Sequence, residues 1–191
     1  MDFDKNKKDI LHKLQTIDKS RKGSLDKPIL PLLNILNKKK DYVTTSSCSG
    51  RIYVMAAEEN MKKYEPQWLF MSHEAVTFQK IQRALKNMPS QTVWLRQEGL
   101  ILHVACRTLQ HAEKLVMLAR TVGFKRTGIF ATSNKIMVEI MGSERMEIPL
   151  SEKGKLLVDD TYVKYLVAVA NVKFRANSKR LSALKKALIV L

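Results

Sequence analysis

Hydroxyl, thiol, glycine and arginine side chains are concentrated in one short segment between two apolar stretches. Hydroxyls both donate and accept hydrogen bonds, arginine offers a forked donor, and glycine permits backbone angles closed to other residues. These residues predict a turn that binds a polar ligand. A hairpin turn whose serines satisfy nearby backbone groups is the alternative, and it stays open. The segment reads Thr44-Thr45-Ser46-Ser47-Cys48-Ser49-Gly50-Arg51.

Other polar residues also follow predicted strands. His73, His103 with Arg107, and the stretch from Gly123 to Gly128 each stand at such a point, and ligands usually bind at strand ends and in the loops after them. Apolar residues alternate around His103, so a half-buried histidine with a local partner is the alternative there. Arg107 would begin a helix, where a cation is unfavourable for the helix dipole but favourable beside an anion. A solvated arginine is the alternative at that position.

Several motifs of familiar enzymes are missing from the sequence. It contains no Gly-x-Gly-x-x-Gly after the first predicted strand, no Walker-type loop, no His-Glu-x-x-His and no Gly-x-Ser-x-Gly. A nucleotide cofactor would therefore not be held as in a Rossmann fold. Cys48 would be a nucleophile only with His73 or His103 as its base, which leaves a cysteine-dependent hydrolase as a weaker alternative.

The chain is strongly basic. Its 191 residues carry 34 Lys and Arg against 18 Asp and Glu, a net charge of +16. This excess favours binding of a polyanion such as RNA or DNA, although solubility alone is the alternative. The aromatic residues do not show the interleaved pattern of a single-strand-binding sheet. Candidate phosphate contacts are Lys19, Arg21, Lys22, Lys38, Lys39, Lys40, Lys125, Arg126, Lys179 and Arg180.

Cysteine content and hydropathy indicate a compartment. Cys48 and Cys106 are the two cysteines, too few for a structural zinc site or a secreted disulfide framework. We therefore expect no metal and two reduced thiols, while a bridge between them stays open. The sequence shows neither a signal-peptide core nor an apolar run of about 18 residues. We expect a cytoplasmic protein that does not enter a membrane.

Hydrophobic periodicity predicts an α+β fold. It comprises a mixed, hairpin-rich β-sheet with flanking helices and a long C-terminal helical segment, and it is not a Rossmann fold. Composition and length favour a single domain over residues 1–191, with residues 159–191 packed on it. Predicted helices cover residues 4–19, 25–36, 72–86 and a stretch capped by Thr108. Predicted strands cover residues 42–47, 52–57, 67–71, 93–96, 100–105, 129–132, 136–140 and 146–148, with a hairpin turn at 97–99.

The C-terminal segment places polar residues inside an apolar stripe. At 100° per residue, Leu166, Ala170, Leu184 and Leu188 share one helical face. Three further residues fall on that same face: Lys173, Asn177 and Arg180. Either this trio faces solvent past the edge of the core, or it lines a pocket and meets an anion or a buried carboxylate. Both interpretations stay open.

Several motifs, taken together, resemble one enzyme family over nearly the whole chain. The sequence resembles the wybutosine-synthesis methyltransferases, often called the third wybutosine-synthesising protein. The resemblance rests on Ser20-Arg21-Lys22-Gly23-Ser24, the stretch TTSSCSGRI from Thr44, Trp68 with Ser72-His73, Leu102-His103-Val104-Ala105-Cys106-Arg107, Gly123-Phe124 with Gly128-Ile129, and Lys153-Gly154-Lys155-Leu156 through Asn171, Asn177 and Arg180.

The resemblance implies an activity and a set of site residues. It implies methyl transfer from S-adenosylmethionine to a ring nitrogen of 7-aminocarboxypropyl-demethylwyosine, beside the anticodon of tRNA(Phe), by a protein that we expect to be a monomer. A non-catalytic basic RNA-binding module is the alternative. His103 is the expected proton acceptor, with Arg51 and Arg107 contacting carboxylates or phosphates in one pocket. The expected cofactor and substrate residues are Ser46, Ser47, Ser49, Gly50, Arg51, His73, His103, Arg107, Gly123 and Gly128; the expected tRNA contacts are Arg21, Lys22, Lys38, Lys39, Lys40, Lys125, Arg126, Lys173, Asn177 and Arg180.

Overall fold

The computed structural model describes residues 2–15, 26–57 and 66–191. Five helices and nine strands lie in this part of the chain, so the predicted α+β class is confirmed. The helices are α1 (Phe3–Gln15), α2 (Leu30–Lys38), α3 (Phe78–Ala84), α4 (Leu109–Thr121) and α5 (Asp160–Ile189). The strands are β1 (Tyr42–Cys48), β2 (Arg51–Ala56), β3 (Gln67–Ser72), β4 (Val93–Glu98), β5 (Ile101–Cys106), β6 (Gly128–Ala131), β7 (Ile136–Met141), β8 (Arg145–Glu152) and β9 (Lys155–Leu156).

The chain divides into two compact units, each assembled from separate stretches of sequence. The first unit holds residues 1–49, 100–143 and 178–191, and the second holds residues 50–99 and 144–177. Each unit has its own antiparallel sheet, so the strands form two sheets where the sequence predicted one. A single domain over residues 1–191 stays a prediction.

The first unit is built on a four-stranded sheet in the order β1-β5-β7-β6. Along β5, Leu102 and Val104 are buried and alternate with the half-buried His103, as expected for a strand with one face on a core. That core also contains Leu36 of α2 and Leu115 of α4. Helix α4 begins as predicted, because the Thr108 hydroxyl accepts from the His111 backbone N–H.

The second unit is built on a five-stranded sheet in the order β3-β2-β4-β8-β9. Ile52 and Val54 of β2 share a core with Leu95 of β4, and α3 and α5 contribute Ile81 and Leu166 to it. Both helices therefore pack on the same face of this sheet. The opposite face carries the other half of the side chains of each strand.

Several predicted elements need correction. The hairpin at residues 97–99 is wrong, because β4 pairs with β2 and β8 while β5 pairs with β1 and β7. Ser72 ends β3 and its hydroxyl accepts from the Glu74 N–H at 3.1 Å, so it forms a local turn and does not cap α3. Leu109, the first residue of α4, is 44% exposed and lies outside the buried stripe of that helix.

The helix boundaries also differ from the predicted ones. Helix α1 covers residues 3–15, whereas the prediction was 4–19; residues 16–19 of that prediction lie outside the described part of the chain. Helix α2 begins at Leu30, where its first turn accommodates Pro31. The C-terminal segment is one helix of 30 residues. Within the described ranges, no helix is long and apolar enough to cross a membrane.

Candidate functional site

The segment of residues 44–51 begins on β1, in the first unit, and its serines are held in different ways. Ser46 is exposed and Ser47 is half-buried, whereas Ser49 is 3% exposed. The Ser49 backbone N–H and hydroxyl both donate to the Asp26 carboxylate, at 2.9 and 3.3 Å. Asp26 was missed by sequence analysis, because a single carboxylate before Lys27 carries no motif and its contact with Ser49 spans 23 positions.

Gly50, in the second unit, adopts a conformation that suits glycine alone. Its φ is +99°, and a β-carbon there would lie 2.7 Å from Asn177 Nδ2 and 2.9 Å from the Glu98 carbonyl oxygen. Asn177 is fully buried, so it presents no exposed surface in this structure, and its contact with tRNA stays a prediction. Its amide packs against the backbone of the segment.

Arg51 is held between aromatic rings and a carboxylate in the second unit. Its Nε donates to Glu98 Oε2 at 3.0 Å, and its guanidinium carbon lies 4.9 and 5.0 Å from the ring centroids of Tyr53 and Trp68. The Tyr53 hydroxyl donates to the other Glu98 oxygen at 2.8 Å. Burial, then this hydrogen bond, raise the pKa of Tyr53 to about 12. The Arg51 plane is thus fixed before any ligand binds.

His73 is fixed by the backbone of the predicted binding segment. Its Nδ1 lies 2.9 Å from the Gly50 carbonyl oxygen in the second unit. A carbonyl oxygen accepts and cannot donate, so Nδ1 carries a hydrogen and a neutral ring has its lone pair on Nε2. That tautomer is suited to accepting a proton.

Gln97 contributes a buried amide that the sequence did not single out. Its side chain is fully buried, and neither Oε1 nor Nε2 has a hydrogen-bond partner among the residues described. Its register partners are Ile52 of β2 and Met146 of β8, both in the core of the second unit. An unsatisfied buried amide costs about 1–3 kcal/mol for each polar group. A ligand with both an acceptor and a donor would satisfy this pair.

His103 lies on β5 opposite Ser46 of β1 and Glu139 of β7, in the first unit. Its Nε2 contacts a Glu139 carboxylate oxygen at 2.9 Å, and its ring centroid lies 5.0 Å from that of Phe130. The carboxylate accepts, so Nε2 carries a hydrogen. The structure therefore brings His103 beside one predicted serine and gives it a partner that was not predicted.

Arg107 follows Cys106, the last residue of β5. It lies at the end of the ladder between β1 and β5 that is away from Cys48. The register pairs Tyr42 with Cys106 and Cys48 with Ile101, and six strand positions span roughly 20 Å. Arg107 donates to Asp41 at 2.8 Å and to Asp4 at 2.5 and 2.9 Å. One pocket formed by the segment of residues 44–51 and the strand end from His103 to Arg107 stays a prediction; within the first unit, Cys48 and Arg107 lie at opposite ends of this ladder.

The Arg107 contacts tie α1 to the sheet of the first unit. The hydrogen bond from Arg107 is the main cause that lowers the pKa of Asp4, and the bond to Asp4 is the main cause that raises the pKa of Arg107. The Arg107 guanidinium also lies 4.7 Å from the Phe3 ring centroid. Lys7 adds donors to the Lys39 and Tyr42 carbonyl oxygens. This arrangement is typical of a structural clamp.

Comparison with known proteins identifies the family. The family model for Methyltransferase TYW3 matches residues 5–189. The chain belongs to the TYW3 family. It is 39% identical over 184 residues, covering 96% of this chain and 93% of the relative, to the protein of Pyrococcus furiosus named tRNA(Phe) 7-((3-amino-3-carboxypropyl)-4-demethylwyosine(37)-N(4))-methyltransferase 1. It is 37% identical over 172 residues, covering 88% of this chain and 66% of the relative, to a mouse protein named tRNA wybutosine-synthesizing protein 3 homolog.

Solved structures agree with this membership of the TYW3 family. The PH1069 protein from Pyrococcus horikoshii matches with a TM-score of 0.91 and 38% identity, over 97% of this chain and 95% of that one. A hypothetical protein from Aeropyrum pernix matches with a TM-score of 0.75 and 26% identity, over 86% and 98% of the two chains. Neither match is a Rossmann fold, as predicted for this chain.

The two predicted site glycines of this TYW3 chain differ in their surroundings. Gly123 has a φ of +97°, and a β-carbon there would lie 3.0 Å from Arg180 Nε, in the first unit. A β-carbon added at Gly128 would meet no atom within 4 Å. Gly123 is therefore required by packing against α5, whereas Gly128 is not.

The predicted tRNA contacts of the TYW3 chain are unequally accessible. Lys38, Lys40, Lys125 and Arg126 are exposed, while Lys39, Lys173 and Arg180 are half-buried. Arg21 and Lys22 lie outside the described residues. Tests of RNA contact are therefore best directed at the exposed group.

The cysteines lie at opposite ends of the ladder between β1 and β5, so a bridge between them is excluded by distance. Cys48 is half-buried and Cys106 is buried. Burial raises the pKa of Cys106 to about 12. The Cys106 thiol is therefore inert at neutral pH.

Proposed function

We propose that this chain methylates a ring nitrogen of 7-aminocarboxypropyl-demethylwyosine in tRNA(Phe), with S-adenosylmethionine as the methyl donor. The observation that carries the proposal is the similarity over 96% of the chain to a relative whose name states this reaction at N(4). The net charge of +16 suits a tRNA substrate. Because the substrate is a tRNA, we place the activity in the cytoplasm, and we propose a monomer.

The residues present fit the proposed donor chemically. When bound, S-adenosylmethionine supplies a methyl group on a positively charged sulfur, together with a carboxylate, an ammonium group and an adenine. In the second unit, the Gln97 amide lacks a partner among the described residues, and an adenine edge offers the matching acceptor and donor. We assign Gln97 and Gly50 to this binding role; Glu98 and Arg51 lie on the opposite face of the sheet, where they pair with each other.

The chain's own contribution to such a reaction is alignment, exclusion of water and proton transfer. Methyl transfer is an in-line displacement, so well-oriented reactants account for much of the rate. A ring nitrogen that carries a hydrogen releases one proton when the nitrogen–carbon bond forms. We assign acceptance of that proton to His73 Nε2, because Gly50 holds Nδ1 as the donor. His103, with Nε2 on Glu139, is the second candidate.

The proposal is tested by separating donor binding from methyl transfer. Calorimetry with S-adenosylmethionine should show a defined site, and tRNA(Phe) that carries the precursor should accept one labelled methyl group per molecule. His73→Gln should keep donor binding but lower kcat by about 10²-fold or more, with His111→Gln in the first unit as the matched control. Absence of both donor binding and methyl incorporation in the wild-type chain would favour the non-catalytic RNA-binding module.

A further inference from the structure

The second unit has a sheet face that lies opposite its helices α3 and α5. Strand alternation puts Arg51, Tyr53 and Met55 of β2 on the side opposite Ile52, Val54 and Ala56, which lie in the core with α3 and α5. The antiparallel register places partners from the neighbouring strands on the same side. We call this side the outer face; its members are Arg51, Tyr53, Met55, Trp68, Met71, Trp94, Arg96, Glu98, Arg145, Glu147 and Pro149.

Aromatic and guanidinium planes dominate the outer face. The Tyr53 and Trp68 rings lie 5.0 Å apart with the Arg51 guanidinium near both. The Arg96 guanidinium lies 5.4 Å from the Trp94 ring centroid and is paired with Glu147. The chain has two tryptophans in all, and both lie here. They come from different strands, so the sequence does not show them as neighbours.

The outer face is accessible at its margins, while Tyr53 and Met55 at its centre are 2% and 5% exposed. Trp68 is 40% exposed, and the Arg145 side chain is 67% exposed. Pro149, the register partner of Trp94, is also exposed. One exposed tryptophan and a second, half-buried tryptophan on the same face are a surface of the kind that binds a partner.

The chemistry of this face selects unpaired RNA as the occupant. Proteins that bind single-stranded RNA stack bases on aromatic rings and on arginine planes, and their cations attract the backbone. The outer face carries three arginines against two glutamates, and the chain as a whole has a net charge of +16, which complements a polyanion. Arg51 also belongs to the segment of residues 44–51, so the face continues from the proposed reaction site.

We propose that the outer face binds unpaired nucleotides of the substrate tRNA, with bases stacked on Trp68 and Trp94. This inference rests on the proposed function, because it assigns the tRNA loop that carries the acceptor base to this face. It differs from the expectation, drawn from the sequence, that the aromatic residues form no single-strand-binding sheet.

Intrinsic tryptophan fluorescence tests the inference directly. We expect a synthetic RNA hairpin with the loop of tRNA(Phe) to quench the fluorescence, and a fully paired duplex with the same number of phosphates to leave it nearly unchanged. Trp68→Phe and Trp94→Phe each leave one tryptophan, which assigns the quenching. Trp68→Ala and Trp94→Ala should each weaken hairpin binding about tenfold, the size of one stacking contact. Tyr165→Ala, an exposed aromatic on α5, is the matched control and should bind as the wild type does.

The outcomes separate this inference from the proposed function. Equal quenching by hairpin and duplex, or unchanged affinity in both alanine variants, would overturn the outer face as a stacking site even if methyl transfer is intact. Loop-specific quenching without any binding of S-adenosylmethionine would support the outer face and overturn the proposed function. If the alanine variants lose affinity for the hairpin and still bind S-adenosylmethionine, the result supports both the outer face as a stacking site and the proposed function.

Discussion

Gly50 and Asn177 are packed so closely that a β-carbon at position 50 would lie 2.7 Å from the Asn177 amide nitrogen. Asn177 is fully buried in α5, and the Gly50 carbonyl accepts from His73. One glycine therefore sets the position of His73, the proposed proton acceptor, and the approach of the long helix, all within the second unit.

Replacement of this glycine should be costly. Gly50→Ala would add strain at a φ of +99° and a clash with backbone and amide atoms. We expect a loss of about 1–3 kcal/mol in the free energy of unfolding and weaker binding of S-adenosylmethionine. Denaturant titration and calorimetry measure the two effects. Gly128→Ala is the matched control, because a β-carbon there meets nothing within 4 Å; equal effects of the two variants would contradict this explanation.

Gln97→Met should separate stability from ligand binding. The variant keeps the side-chain volume and removes a buried amide that has no partner among the described residues. We expect the unliganded protein to gain about 1 kcal/mol of stability, and the affinity for S-adenosylmethionine to fall. Thermal unfolding with and without the donor measures both. Gln79→Met, at an exposed position in α3, should change neither. A donor affinity that is unchanged in Gln97→Met would refute the role assigned to Gln97.

Arg107→Gln should release α1 from the sheet of the first unit. Arg107 holds Asp4 and Asp41, so we expect faster amide hydrogen exchange in α1. The same clamp predicts a pH effect. The pKa of Asp4 is lowered in the folded state, chiefly by the hydrogen bond from Arg107. The Asp4 carboxylate therefore contributes its full stabilisation above the ordinary pKa of an aspartate, about 4, and this stabilisation is lost as the pH falls below that value.

The comparison with Asp4→Asn checks this pH effect. In that variant the stability lost below about pH 4 should be smaller than in the wild type, because the titrating carboxyl is gone. Identical acid unfolding curves for the two proteins would show that the clamp does not act through Asp4. Arg126→Gln, at an exposed position, is the control for Arg107→Gln, because it also removes one positive charge.

The two thiols should differ in reactivity. Cys106 is buried and its pKa is raised to about 12, so a thiol reagent at neutral pH should label Cys48 alone in the folded protein. Labelling of two thiols should require denaturant. We also expect Cys48→Ala to retain methyl transfer, since the proposed reaction uses no thiol nucleophile; a complete loss of activity with a normal fold would favour the cysteine-dependent alternative.

Binding of tRNA should weaken steeply with salt. If about six or more phosphates are contacted, affinity falls about 10³-fold or more between roughly 50 and 200 mM salt. Lys125→Ala and Arg126→Ala, both exposed, should each reduce the salt slope by about one. Trp68→Ala should lower affinity without changing that slope, because stacking releases no counterions. Binding that does not depend on salt would contradict a phosphate interface.

The sequence by itself determined the family and most of the secondary structure. Local signals were sufficient for β1, β2 and the Thr108 cap of α4, because strand periodicity and capping depend on neighbours in the chain. The segment of residues 44–51 also stood out, because its residue types are unusual between two strands. Its resemblance to a methyltransferase family agreed with the family model that matches residues 5–189.

Only the tertiary structure decided which of these residues share a site. The predicted hairpin at residues 97–99 failed because strand pairing depends on contacts between distant segments, which local hydropathy does not encode. Arg107 proved to be a clamp for α1, and Asp26 and Gln97 gained their importance from partners or surroundings far away in the sequence. Trp68 and Trp94 became one surface for the same physical reason: a sheet gathers side chains from separate strands onto one face.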